Sequence, residues 1–286
     1  MMQNFITRPR GAFAKKLSIF LMATLLLACS AARFGYNNGE ILSYWWLNRY
    51  VDFDAAQRPW VKKEIAGLFS WHRKTQLKGY AQWLTRGQKR IQGTVTETEL
   101  LADYEDVKQR LLLMADKALP DLADLALSLQ PQQIANIEKK FASNNNDYRK
   151  EFLRGDLEQR RRYRYKKTLQ QAEDWFGGFS REQEQRIQAA SDARLLNNEW
   201  VLADRVQWQK ALIDLLKKIQ AEKPGREATM AMLKDYVAAA MNRFDDQSVG
   251  TARMVALIVN DTTPAQKERF IKTSQQWIDD FEALAK

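Results

Sequence analysis

Long stretches free of helix breakers constrain this chain more than any other feature. Its 286 residues hold only 12 Gly and 6 Pro. Ala, Leu, Gln, Lys, Arg and Glu, which lose little on entering a helix, dominate, and runs of alternating Val, Ile and Thr are hard to find. From Asp54 the apolar positions Val61, Ile65 and Leu68, followed by His72, recur at helical spacing, with Trp60 and Phe69 widening the stripe. The expectation is an all-α fold, an antiparallel multi-helix bundle of long helices, each about 20 to 40 residues, joined by short turns.

The stripe from Asp54 reads as one helix running to about Trp83 or Leu84, with Gly87 and Gly93 framing its end. Thr96-x-x-Glu99 has the form of a capping box and opens a helix ending near Pro120. Further starts fall at Pro131, Ser180, near Gly225 and at Pro264, with Gly177-Gly178 and Pro224-Gly225 as the clearest breaks. The string Ser143-Asn144-Asn145-Asn146-Asp147 is expected to weaken the fourth long helix without necessarily breaking it, since Asn and Asp compete with the helical backbone.

The N-terminus reads as an export signal. Arg8, Arg10, Lys15 and Lys16 precede the uncharged run Leu17 to Ala28, a basic region followed by an apolar one. As a helix the run covers only about 18 Å of a hydrocarbon core about 30 Å thick, which is short for a permanent span. It ends Leu26-Leu27-Ala28-Cys29, and Cys29 is the only cysteine. This ending resembles the lipobox of bacterial lipoproteins. The resemblance implies that residues 1–28 are a cleaved signal peptide, that the Cys29 thiol takes diacylglycerol and that the new amine is acylated. Ser30, rather than Asp, at the next position implies transfer to the periplasmic face of the outer membrane rather than retention at the inner one. The alternative is a buried free cysteine in an uncleaved anchor helix. Residues 29–40 then form a lipidated tether and 41–286 the helical domain. Loss of the four basic residues lowers the formal net charge from +10 to +6. Trp45 and Trp46, close behind the lipid, suit a headgroup interface or an aromatic helix packed on the domain.

One pattern recurs at helix starts: Phe53-Asp54-x-x-Gln57, Leu129-Gln130-x-x-Gln133, Phe179-Ser180-x-x-Gln183 and Thr262-Thr263-x-x-Gln266. A hydrophobic staple with a capping box accounts for it. The pattern also resembles the Leu-Thr-x-x-Gln motif of small all-helical periplasmic chaperones, which implies a functional repeat. A broader resemblance rests on Tyr36-Asn37-Asn38, Trp45-Trp46-x-x-Arg49-Tyr50-Val51-Asp52, Gln57, Trp71-His72-Arg73, Leu77 and Tyr80. Trp175-x-Gly177 and the Trp200-to-Trp208 helix extend it. These words look like a proteobacterial lipoprotein family known only as a domain of unknown function; Lys78 stands where that family often has Pro. The resemblance implies location and a helical fold, and no activity.

The inventory offers little to catalysis. His72 is the only histidine and Cys29 the only thiol, so zinc sites, Cys/His pairs and Ser-His-Asp triads lack their parts. Phosphate-cradling Gly-rich loops and a Glu-Ser pair of the lytic transglycosylase kind are absent, and no cofactor or metal is implied. Asp245-Asp246 and Asp279-Asp280 point in different directions around a helix. His72, in line with Val61, Ile65 and Leu68, reads as a boundary histidine, framed by Trp71 and Arg73 in a local contact. The strongest charge feature is Arg160-Arg161-Arg162-Tyr163-Arg164-Tyr165-Lys166-Lys167. It reads as an outward-facing surface for anionic lipid, lipopolysaccharide or a protein client, or as a solvated helix neutralised by Glu151, Asp156 and Glu158. Nucleic acid is a poor partner for an exported protein. The expected function is that of a non-enzymatic envelope lipoprotein binding a macromolecular client or partner, chaperone-like or scaffold-like. The rivals are an envelope enzyme acting on peptidoglycan or lipid with carboxylates from separate helices, and a purely structural lipoprotein.

Overall fold

The structure, a computed structural model, describes residues 32–194, 198–243 and 245–286. The signal peptide and Cys29 lie outside them. Residues 32–37 are helical and lead into α1 (Gly39–Val51), α2 (Gln57–Thr75), α3 (Leu77–Arg90) and α4 (Glu97–Ser128). Then come α5 (Pro131–Phe152), α6 (Leu157–Phe176) and α7 (Arg181–Asp192). The chain closes with α8 (Asn198–Glu222), α9 (Arg226–Asn242), α10 (Asp245–Asn260) and α11 (Pro264–Leu284). The fold is an all-α multi-helix bundle, and the described residues contain no strand. Among them, no helix is long and apolar enough to cross a membrane.

Helix starts follow the capping chemistry. Thr96 has extended backbone, its hydroxyl accepts from the Glu99 N–H at 3.2 Å, and the Glu99 carboxylate accepts from the Thr96 N–H at 2.9 Å, so α4 begins with two of its orphan donors satisfied. The starts at Pro131, Ser180, Gly225 and Pro264 fall where the sequence places them. Those of α6, α8 and α10 were not legible; α4, α5, α6, α8 and α11, of 20 to 32 residues, have the expected length, and the other named helices are shorter.

Two boundaries differ from expectation. The stripe from Asp54 divides at Gln76, whose φ of −104° departs from helical geometry while its N–H still donates to the His72 carbonyl at 2.8 Å; Gln76 and the fully buried Leu77 turn inward there. In α4 the helix passes through Pro120 and ends at Ser128. An interior Pro costs about 3 kcal/mol, and burial of Leu119, Ala123 and Ala126 around it opposes that cost. The Asn string leaves α5 continuous: Asn145 is buried and donates to Gln209 Oε1 at 2.6 Å, and Asn144 donates to the Tyr50 hydroxyl at 2.7 Å.

Three apolar clusters organise the packing. The largest joins α1, α2, the C-terminal half of α4, α5, α8 and α9 around Phe53, Ala123, Ile134 and Ile219. A second joins α6, α7 and α10 through Ala172, Ile187, Met254 and Ile258, and a third joins α3 and α11 through Ala81, Leu84 and Ile278. Helix α3 packs along α11 and α4 packs on α9 and α10, but α3 and α4, although consecutive, diverge.

Candidate functional site

The four repeated motifs come together as two interlocked pairs. In each, the Gln side-chain carbonyl accepts the N–H of its own cap residue: Asp54 at 3.2 Å, Gln130 at 3.0 Å, Ser180 at 2.9 Å and Thr263 at 2.8 Å. Gln133 then donates to Gln57 Oε1 at 2.7 Å and Gln57 to Gln133 Oε1 at 3.3 Å. Gln183 donates to Gln266 Oε1 at 2.9 Å and Gln266 to Gln183 Oε1 at 3.2 Å. Each amide also reaches the carbonyl two residues before the partner's cap: Ser128, Asp52, Asp261 and Gly178. All four glutamines are buried, so these bonds consume the polar groups that a buried amide must satisfy.

The residues of Trp71-His72-Arg73 also find partners. His72 is half-buried between two phenols, with Tyr36 Oη 2.8 Å from Nδ1 and Tyr80 Oη 3.1 Å from Nε2. Burial holds its pKa below the ordinary imidazole value. Arg73 donates to the Leu284 carbonyl at 3.1 Å and to Asn37 Oδ1 at 3.0 Å, with its guanidinium over the Tyr36 ring. Arg33 pairs with the buried Asp280. Residues 32–37, read from sequence as part of a tether, are thus fastened to α2 and α11. Trp71 lines a shallow polar hollow with Glu64, Lys117 and Asp121.

The basic run forms the N-terminal half of α6, and the structure divides it. Arg160 reaches Glu199 at 2.7 Å and Arg164 reaches Asp192 at 3.4 Å, their side chains 26% and 16% exposed. Arg162 pairs with Glu158 at 3.1 Å, and the Tyr163 hydroxyl donates to Glu151 at 2.9 Å. Burial and then the hydrogen bond to Glu184 push the Tyr165 phenol up to about 12. Lys167 lies 5.5 Å from the Tyr163 ring centre. Arg161 and Lys166 are exposed and have no carboxylate partner among the described residues.

A concavity that sequence reasoning missed lies where α3 and α4 part. A cavity of about 570 Å³ opens between α3 and α11 on one side and α4 and α10 on the other, closed by the C-terminal half of α6. A second, of about 420 Å³, meets it at Trp83, Leu84 and Trp175. Ile91, Leu100, Phe176, Met254 and Phe270 line the inner part, and Val107, Leu111, Trp277 and Phe281 the outer. Long side chains bridge the two walls. Asp103 accepts from both Nη atoms of Arg90 and from the Trp83 indole at 3.2 Å, and Arg86 pairs with Asp106 at 3.1 Å. The cleft is therefore apolar, with ion pairs in its wall. Asp245 is likewise held by Tyr104 and Lys108. Among the described residues no cluster of His, Cys, Asp and Glu could hold a metal. Trp83, Trp175 and Trp277 stand far apart in the sequence, which carries no sign of what brings them together.

A family model described as a family of unknown function, DUF6279, matches residues 49–238. The chain belongs to that family. The match takes in the first glutamine pair, the Trp71-His72-Arg73 contact and the α3 and α6 walls of the cleft; α10 and α11 lie beyond it. No curated protein and no solved structure matches the chain.

Proposed function

We propose that this protein is a non-enzymatic lipoprotein, acylated at Cys29 after removal of residues 1–28 and held at the periplasmic face of the outer membrane, that binds a client or envelope partner. The observation that carries the binding reading is the splayed cleft between α3 and α4, whose two cavities present Trp83, Trp175 and Trp277 to whatever enters. Concave, mostly apolar sites with a few placed polar groups are where ligands bind, and Val107, Leu111 and Trp277 remain 40%, 43% and 40% exposed at its mouth. Arg161 and Lys166, on the helix that closes the cleft, add attraction for an acidic client or an anionic membrane. The lipid reading, and with it the proteobacterial lipoprotein character of the family, is supported by the basic segment, the apolar run and Leu26-Leu27-Ala28-Cys29.

Two measurements test it. Cys29→Ala is expected to abolish incorporation of labelled fatty acid and leave the precursor uncut, and equal labelling of variant and parent removes the lipoprotein reading. A photo-crosslinking residue at position 111 is expected to capture a partner in intact cells, whereas the same residue at position 166 reports the basic face. Absence of any adduct at both positions removes the binding reading.

A further inference from the structure

We propose that the cleft takes a long-chain fatty acid, its alkyl chain lying along Trp83 and Trp175 and its carboxylate at Arg110. The inference rests on the reading of the cleft as a binding site and assigns the chemistry of the occupant. Arg110 stands at the outer end of the cleft, where Tyr80, Leu111 and Phe281 are its neighbours in the lining. Its Nε is buried and makes no hydrogen bond; Asp106 Oδ1 lies 3.4 Å away, within ion-pair range but outside hydrogen-bond geometry. That same carboxylate also serves Arg86 at 3.1 Å. Two guanidiniums therefore share one acid and leave a positive charge at the mouth of the apolar cleft. A ligand carboxylate in the cleft supplies the missing charge, with bidentate geometry available to the guanidinium of this part-exposed side chain.

The shape selects the other end of the ligand. The two cavities, about 420 and 570 Å³, lie in series and share Trp83, Leu84 and Trp175, each within the range of about 300 to 1,000 Å³ usual for small-molecule sites. An unbranched chain can thread that junction and bury methylene after methylene against aromatic faces. An extended polypeptide would carry a backbone donor and acceptor at nearly every residue into a lining whose hydroxyl and carboxamide side chains are Thr168 and Gln171, with Tyr80 at the outer end, and buried amides without partners are disfavoured. Arg90 and Asp103, the charged groups of the inner cavity, are bonded to each other, so the inner end offers an apolar terminus and the outer end an anion site.

The test uses the chain isolated from membranes and reconstituted in nanodiscs, with a diazirine-bearing palmitic acid as probe and mass-spectrometric mapping of the adducts. Labelling is expected at Leu111, Trp175 and Trp277, to be competed by palmitic acid and not by hexadecanol, and to fall by about tenfold or more in Arg110→Gln, the loss expected when a hydrogen bond to a charged group goes. Leu111→Asp, at an exposed position, should block entry with unchanged circular dichroism and serves if the Arg110 variant does not fold. Equal competition by the alcohol, or undiminished labelling of folded Arg110→Gln, overturns the carboxylate assignment. Labelling confined to other surfaces while a polypeptide is captured at position 111 in cells overturns the fatty-acid proposal and leaves the cleft as a binding site. No adduct of either kind removes both.

Discussion

Gln57 and Gln133, 76 residues apart in the chain, exchange side-chain amide hydrogen bonds while each also caps its own helix. The exchange fixes the start of α2 against the start of α5, and Gln183 with Gln266 does the same for α7 and α11. Because each amide also reaches the carbonyl two residues before the other's cap, removing one glutamine leaves several buried groups without partners. Gln133→Ala and Gln183→Ala are each expected to cost about 1 to 3 kcal/mol in chemical denaturation. The double variant Gln57→Ala/Gln133→Ala should cost less than the sum of its singles, since neighbours in one network do not add. Strict additivity would show that the two side chains do not act as a unit.

A pH dependence follows from His72. Both ring nitrogens lie within hydrogen-bond distance of phenols, from Tyr36 and Tyr80, and burial lowers its pKa in the folded protein. As pH falls through about 6.5, the unfolded chain takes up the proton first. Stability is therefore full above that value and declines below it until the folded-state pKa is reached. His72→Gln keeps a donor and an acceptor between the tyrosines but cannot titrate. Its denaturation midpoint should be flatter than the parent's between about pH 5 and 7, above the range where carboxylates dominate. Parallel profiles for the two proteins would show that His72 does not titrate differently on folding.

The divided basic run predicts two kinds of variant. Reversing Arg161 and Lys166 to Glu should weaken co-sedimentation with anionic liposomes at low salt and leave the melting temperature within about 1 °C, because exposed unpaired charges contribute little to stability. Arg164→Glu instead places a carboxylate beside Asp192, on a side chain only 16% exposed, and should lower the melting temperature measurably. If Arg164→Glu melts with the parent while the surface pair destabilises, the two faces of α6 have been assigned the wrong way round.

Helix type and most capped starts were legible because they depend on neighbours in sequence. Thr96 with Glu99, and Ser180 with Gln183, carry their partners three residues away. The pairing of Gln57 with Gln133 was not legible, since the irregular spacing of the motifs hides which two meet; only the packed bundle decides it. The fate of the arginines shows the same limit. Arg162 meets Glu158 one turn away, as local spacing allows, but Arg160 and Arg164 are taken by Glu199 and Asp192 on other helices. The cleft was least legible, because it arises from two consecutive helices that diverge, and a short turn usually makes such neighbours pack.

Gly79 separates stability from binding at that cleft. It lies inside α3, where an added Cβ would come within 2.5 Å of Arg110 Nη1, the far end of a flexible side chain. Glycine in a helix interior costs roughly 0.5 to 1 kcal/mol relative to alanine, and the guanidinium, already without a hydrogen bond at Nε, can swing away more cheaply than backbone could move. Gly79→Ala is therefore expected to hold or raise the melting temperature while shifting Arg110 off the Tyr80 ring, from which its Cζ now stands 5.5 Å. The displaced cation should then serve the cleft poorly, so labelling by the diazirine fatty acid should fall as it does in Arg110→Gln, in a protein no less stable than the parent. A variant that is destabilised shows that the Arg110 side chain is wedged rather than free to move. A variant that is stable and labels like the parent shows that the placement of Arg110 against α3 does not govern what the cleft holds.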